Sequence, residues 1–470
     1  MDELTSWLER QQEVSRAAIR AAISRTDLVH ARPGFGFEVR PKPGSVLASP
    51  VSAHYDPDPD YFFHWFRDAA VVMEALRFTT ERGTAAAHRA FRDYVHFNSA
   101  LLEIEGAEVR LPAADPAHQR FLRPAAELAA VRGETVAAES RVNPDGTLDV
   151  TKWGRPQMDG PALRALSLLR WWPEADVACH PDLLRIVEAD LRLICARRDE
   201  PSFDIWEEEA GRHYYVDLIQ AQALREGAAR LGALGVGDTE LFANAATTLE
   251  TRLDRFRTDH GTWYASRLSA PGITPAKRLD MSTIFAVLHA GRTHGPHSPL
   301  DPIVQGTMLR LQDHFASAYQ INREGSDARG PAMGRYPGDR YVSGGAFYFS
   351  TLAAAEFHFR LAARVADGAP LVAAAANFDF LQRSIGNTAI SVGDDVANGS
   401  GRTSACVVLV RRGDAFLETV RAFTPASGAL SEQFDQTDGH QTSAKDLAWS
   451  HAALLTAAAW RRRACQQLPD

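Results

Sequence analysis

The chain has 470 residues, 45% hydrophobic and 23% charged. This globular composition has material for a large core, which excludes disorder. A formal charge of −8 and the lack of a long basic run exclude a nucleic-acid backbone as partner. No stretch approaches the roughly eighteen uninterrupted apolar residues of a membrane-spanning helix, so no membrane is expected as partner either. The start, Met1-Asp2-Glu3-Leu4-Thr5, lacks a basic region followed by an apolar one, so the expected location is the cytoplasm. Cys179, Cys195, Cys406 and Cys465 form no C-x-x-C pair and read as free or buried thiols.

In chain order, amphipathic helical spacing opens at Thr5 to Ser24, where Trp7, Leu8, Val14, Ala18, Ile19 and Ala22 recur behind Thr5 as N-cap. It returns near 65–82, 84–105, 114–132, 159–172, 181–198, 213–234 and 237–257, then 280–290, 301–319, 344–366, 371–385, 403–423 and 443–465. Strand-like alternation is confined to pieces such as Ser45 to Ala48. There is no composition break, no Ser/Thr/Pro linker and no fixed repeat. The pattern therefore predicts one all-α domain over 1–470, built of antiparallel hairpins in two toroidal layers and not a solenoid.

Five polar-aromatic clusters fall in loops or at helix starts, where a rigid scaffold presents side chains at one face. Pro59 to Asp68 holds Tyr61 and Trp65 beside an adjacent Arg67 and Asp68. Rings of this kind cover the apolar face of a pyranose, while Arg and Asp divide its hydroxyls as donor and acceptor. Trp153-Gly154-Arg155-Pro156-Gln157-Met158-Asp159 offers a stacking face, hydrogen bonds from Arg155 and Gln157, and Asp159 as a helix cap. Ser202 to Glu209 places Glu207, Glu208 and Glu209 beside Trp206. A general acid needs a raised pKa, which Trp206 and Glu208 are placed to supply. Gly334 to Asp339, with Arg335, is Gly-rich without being a phosphate loop. Leu430 to Asp435 carries Glu432 in a loop, ahead of a helix with Ser443 and Asp446 as its expected cap pair. His289, His294 and His297 are close in sequence but lack a carboxylate partner, so neither a metal site nor a cofactor is expected.

Taken in order, these clusters resemble the glucoamylase family, glycoside hydrolase family 15, from about Ser49 to Arg462. The resemblance rests on Pro59-Asp60-Tyr61-Phe62 with Trp65-x-Arg67-Asp68, on Trp153 to Ala165, on Asp204-Ile205-Trp206-Glu207-Glu208, on Gly334-Arg335-Tyr336-Pro337-x-Asp339 and on Leu430 to Asp435. It implies an (α/α)6 barrel, a six-hairpin toroid, and an exo-acting inverting α-glucosidase that releases β-glucose from α-glucan or malto-oligosaccharide ends. By motif, Glu207 takes the general-acid place and Glu432 the general-base place. Arg67 and Asp68 hold the terminal sugar, and Tyr61, Trp65, Trp153, Arg155, Trp206, Glu208, Arg335 and Trp449 contribute to the pocket. Ser343-Gly344-Gly345-Ala346-Phe347 and Met158 depart from the family pattern at positions expected to border the leaving group. An α-1,6-glucosidase for isomaltose or dextran ends, an α,α-trehalase and a non-catalytic sugar-binding barrel are the alternatives. No carbohydrate-binding module is expected after the barrel.

Overall fold

The computed structural model describes residues 3–53, 57–78, 83–175, 179–269, 275–323, 328–386 and 390–468. Twelve helices of nine or more residues alternate between two layers among the described residues. They are α1 (Glu3–Ala22), α2 (Phe66–Phe78), α3 (Ala85–Leu101), α4 (Asp159–Trp171), α5 (His180–Arg197) and α6 (Tyr214–Leu234), followed by α7 (Thr239–Leu253), α8 (Ser282–Ala290), α9 (Pro302–Ala318), α10 (Tyr348–Ala366), α11 (Gly401–Phe423) and α12 (Ala448–Cys465). The even-numbered helices pack in a closed ring, α2 on α4, then α6, α8, α10, α12 and back to α2. The odd-numbered helices lie outside it, which makes an (α/α)6 barrel.

Sequence composition separates the layers. In α1 seven of twenty residues are buried, Leu4, Leu8, Gln11, Ser15, Arg16, Ile19 and Ala22, the stripe of a surface helix. In α10 sixteen of nineteen are buried and in α4 twelve of thirteen, because a helix apolar on every side must be wrapped by neighbours. Thr84 and Asp301 cap α3 and α9, accepting from the amides of Ala87 at 3.2 Å and Ile303 at 2.9 Å. Among the described residues, no helix is long and apolar enough to cross a membrane.

Short antiparallel strands tie down the loops: β1 (His30–Arg32) with β2 (Phe37–Val39), β3 (His64–Trp65) with β4 (Arg141–Val142), and β5 (Ser202–Phe203) with β6 (Ala210–Gly211). A three-stranded set joins β7 (Ala346–Phe347), β8 (Gln433–Phe434) and β9 (Gln441–Thr442). Several expected boundaries shift. The 114–132 helix reduces to a turn at Gln119–Phe121 and a short helix at Ala125–Ala129, because Pro116 and Pro124 interrupt it. The 344–366 helix begins at Tyr348, since Ala346 and Phe347 pair with β8. Of the expected 371–385 helix only Phe378–Ile385 forms, and the Ser45 to Ala48 strand is a single bridge from Val46 to Ile23. Residues 79–82 lie outside the described residues.

The ring has one short member. Helix α8 has nine residues and ends at Gly291, whose φ of 70° is a left-handed stop that suits glycine. Its last carbonyls are met from the sides: Arg170 donates to His289 O at 3.0 Å and Ala290 O at 2.8 Å, and Arg360 to Leu288 O at 2.7 Å. Arg170 also pairs with Glu226 at 2.9 Å. Replacing Arg170 by Met should destabilise the protein by at least roughly 2 kcal/mol, since Glu226 and the carbonyls lose their partner together. Denaturant unfolding checks this, and an unchanged midpoint contradicts it.

Candidate active site

The first turns of α2, α10 and α12, with the loops that lead into the inner helices, enclose a cavity of about 240 Å³. Tyr61, Trp65, Arg67, Asp68, Trp153, Trp206, Glu207, Glu208, Arg335, Glu432 and Trp449 all line it, together with Tyr341. Phe349 and Trp449, stacked with ring centroids 4.3 Å apart and 9° between planes, form one wall. Their other side faces a smaller cavity of about 60 Å³ lined by later residues of the inner helices, such as Ser167 and Thr456. Helix N-termini that converge on one cavity favour negative charge there.

Arg67, in the first turn of α2, organises one side. Its guanidinium donates to Gln157 at 3.0 Å, Asp159 at 2.9 Å and Glu207 at 2.9 Å. Asp159 therefore serves the guanidinium instead of the expected cap role, and the residue preceding α4 makes no side-chain cap. Asp68 stands 3.9 Å from Arg67 Nε. Burial pushes its carboxyl up to about 7 despite the neighbouring guanidinium.

Glu207 sits in the tight loop between β5 and β6. Trp65 Nε1 donates to its Oε1 at 2.8 Å and Trp153 Nε1 to its Oε2. Its φ of +66° is a strained choice for a residue with a Cβ and is held by the surrounding bonds. The amide of Glu207 donates to Asp204 O at 2.9 Å and that of Glu208 to Asp204 Oδ1 at 2.9 Å. Gly154 allows the close approach, since a Cβ there would lie 2.9 Å from Glu207 O. The expected raised pKa is not found. Burial pushes Glu207 up, but Arg67, Gln157, Arg141 and Trp153 together bring it below the ordinary value. Neither predicted cause reaches it: Trp206 Nε1 donates to Asp280 at 3.0 Å, and Glu208 turns to Arg335 at 2.8 Å, Tyr336 at 2.5 Å and Lys277.

Glu432 ends the loop before β8 and is 9% exposed, not solvated as a loop carboxylate ordinarily is. Ser443 donates to Oε2, and Tyr61 Oη lies 3.4 Å from Oε1 and 2.8 Å from Tyr341 Oη. Ser443, expected as a helix cap, is thus a partner of Glu432 at a φ of +63°. Burial drives the Glu432 carboxyl up to about 7, and Ser443 and Arg335 offset only part of it.

Arg155 is the expected residue that the site does not use. Its guanidinium pairs with Glu139 at 3.0 Å and Asp149 at 2.8 Å, away from the cavity. The departures at Met158 and Ala346-Phe347 are buried and do not line the cavity. His289 and His297 bond the hydroxyls of Tyr215 and Tyr214, each at 2.8 Å. Sequence reasoning missed Tyr341, Ser443 and the Arg267–Asp280 pair at 3.4 Å that backs Trp206 and Glu209. Tyr341 lies between two flagged segments, and that proximity was its one signal.

The sequence profile of Glycosyl hydrolases family 15 matches residues 36–459, a span that contains the whole cavity lining. The chain belongs to this family. As a family 15 glycoside hydrolase it resembles glucoamylase 1 of Rhizopus oryzae, 25% identical over 471 residues that cover 97% of this chain and 70% of that protein. Glucoamylase of Blastobotrys adeninivorans is 27% identical over 491 residues, 97% of this chain and 72% of its own. The solved structure of Hormoconis resinae glucoamylase matches 100% of this chain and 75% of its own, with a TM-score of 0.81 at 24% identity, which speaks to the fold.

In this family 15 hydrolase the raised carboxyls act against stability. Folding raises the pKa of Glu432, so its stabilising form is the protonated one. That contribution is complete below the unfolded value of about 4.3 and is lost as pH rises through about 7. Glu432→Gln should therefore stabilise the protein at pH 8 by an amount on the order of 3 kcal/mol, with a higher unfolding temperature, and give almost no gain near pH 4. Thermal unfolding at the two pH values checks the sign. Ser443→Ala removes a donor to the ionised form, so the Glu432 titration should move to higher pH. A carboxyl titration followed by NMR that stays in place contradicts this.

Proposed function

We propose that the chain is an exo-acting inverting α-glucosidase of the glucoamylase kind, with Glu207 as general acid and Glu432 as general base. The observation that carries this reading is an aromatic-walled cavity onto which Glu207 and Glu432 both face, Glu207 held by two indoles and Arg67, and Glu432 by Ser443. Arg67 Nε has no hydrogen-bond partner among the described residues. A hydroxyl of the terminal glucose can donate to Asp68, which lines the cavity beside it. Trp65, Trp153 and Trp449 cover the apolar sugar faces.

Without substrate the two proton affinities are the reverse of those needed at the moment of reaction. Substrate supplies the correction on this reading. Sugar hydroxyls compete for Arg67 and displace water, which raises Glu207, while the positive charge developing at the anomeric carbon lowers Glu432. Glu207 then protonates the leaving oxygen. Glu432, with Oε2 held by Ser443 and Oε1 near Tyr61, takes a proton from the attacking water.

A single displacement must release β-glucose first from an α-linked substrate. Proton NMR in the first minutes of maltose hydrolysis reads the anomer directly, and initial α-glucose contradicts the mechanism. Glu207→Gln and Glu432→Gln should each lower turnover at least roughly a hundredfold with the fold intact. A panel of maltose, isomaltose and trehalose tests the linkage, with maltose expected to be hydrolysed fastest.

A further inference from the structure

Behind the two indoles that hold Glu207 lies a cation that does not touch the cavity. Arg141, in β4, is wholly buried, and its backbone pairs with that of Trp65. Its guanidinium carbon stands 3.7 Å from the centre of the Trp153 ring, 4.6 Å from Trp65 and 4.0 Å from Phe63. Nε donates to Asp149 at 2.8 Å and an amino nitrogen to Thr151 Oγ1 at 3.2 Å. Asp149 also pairs with Arg155, which joins Glu139, itself paired with Arg123 at 2.5 Å. Arg123 also meets the exposed Glu127 at 3.9 Å, so three guanidinium groups face three carboxylates.

A cation over the face of an indole is attracted by the ring's negative face, and its field makes the N–H edge a stronger donor. Both N–H groups end on Glu207, one on each oxygen. An indole N–H donates only, so the pair favours the carboxylate over the carboxylic acid. We infer that Arg141 is a positioning residue, a charge set behind Trp65 and Trp153 that orients Glu207 and tunes its proton affinity without meeting the sugar. The inference rests on the reading of Glu207 as the general acid. The other charged or ionisable groups that act on Glu207 are Arg67, Asp68 and Tyr61 from the cavity and Asp159 from behind Arg67. Arg141 acts from behind, and its charge is among the influences that lower Glu207.

Two substitutions of opposite sign separate this role from simple packing. Arg141→Met removes the positive charge and should move the Glu207 titration up by at least about half a pH unit. Asp149→Asn removes a negative charge from the same cluster and should move it down. Arg141→Lys keeps the charge and should stay near wild type. The readouts are the pH dependence of kcat/KM and the pH titration of tryptophan fluorescence, in which the step that reports Glu207 through Trp65 and Trp153 is the one lost in Glu207→Gln. A residue that only packs would lower stability in both charge variants with no opposed shifts, and that result overturns the proposal. If Arg141→Met does not fold, the direction of the Asp149→Asn shift decides alone: downward supports the proposal, and upward or none overturns it. Full activity in Glu207→Gln would instead remove the acid role, while the fluorescence shifts would still decide the place of Arg141.

Discussion

A buried guanidinium cannot give up its charge, and the active site is arranged around that fact at Arg67. Its side chain is 6% exposed, so leaving it unpaired would cost several kcal/mol. Gln157, Asp159 and Glu207 answer it from three directions, and those bonds connect the start of α2 to the loop before α4 and to the turn between β5 and β6. The same pairing fixes Glu207 against Trp65 and Trp153. Orientation of the carboxyl and closure of the barrel mouth are therefore one interaction.

The arrangement carries a cost that a purely structural cluster would avoid. Asp68 and Glu432 are both buried with their carboxyls raised to about 7, and Glu207 and Ser443 adopt left-handed backbone conformations. Each feature works against the folded state. The rest of the barrel offsets them through nearly all-buried inner helices such as α10. Reactivity is concentrated at the mouth, where loops are fastened by two-residue strands, and stability is concentrated in the ring below.

Much of this was legible in the sequence because it is written in short segments. The helical spacing located most of the twelve helices, since inner and outer members differ in how far apolar residues extend around the axis. Proline decided the broken 114–132 segment, and the expected 371–385 helix formed only over Phe378–Ile385. Eleven of the twelve expected site residues line the cavity, for their motifs lie at helix starts that the barrel brings together. What could not be read was direction. Nothing in Trp153-Gly154-Arg155 says that the tryptophan faces the cavity and the arginine faces Asp149, and nothing near Glu207 reveals that Glu208 turns away from it. Ser443 looked like a cap because a serine ahead of a helix ordinarily is one. Its contact with Glu432 depends on the β8–β9 hairpin bringing the two together.

The ring is closed by contact between α2 and α12, near the two ends of the chain, and Trp449 at the start of α12 completes the wall that Phe349 begins. Sequence separation of this size makes closure a late event in folding. A growing chain can form the α2, α4 and α6 hairpins as it emerges, yet it presents an open arc whose inner face is apolar. Glu432 and Trp449 follow the rest of the cavity lining along the chain, so a carboxyl group and the final wall enter in the same step that seals the toroid. No partly made chain holds a working cavity, and the interval before α12 docks is when the apolar arc is most exposed to association with other chains.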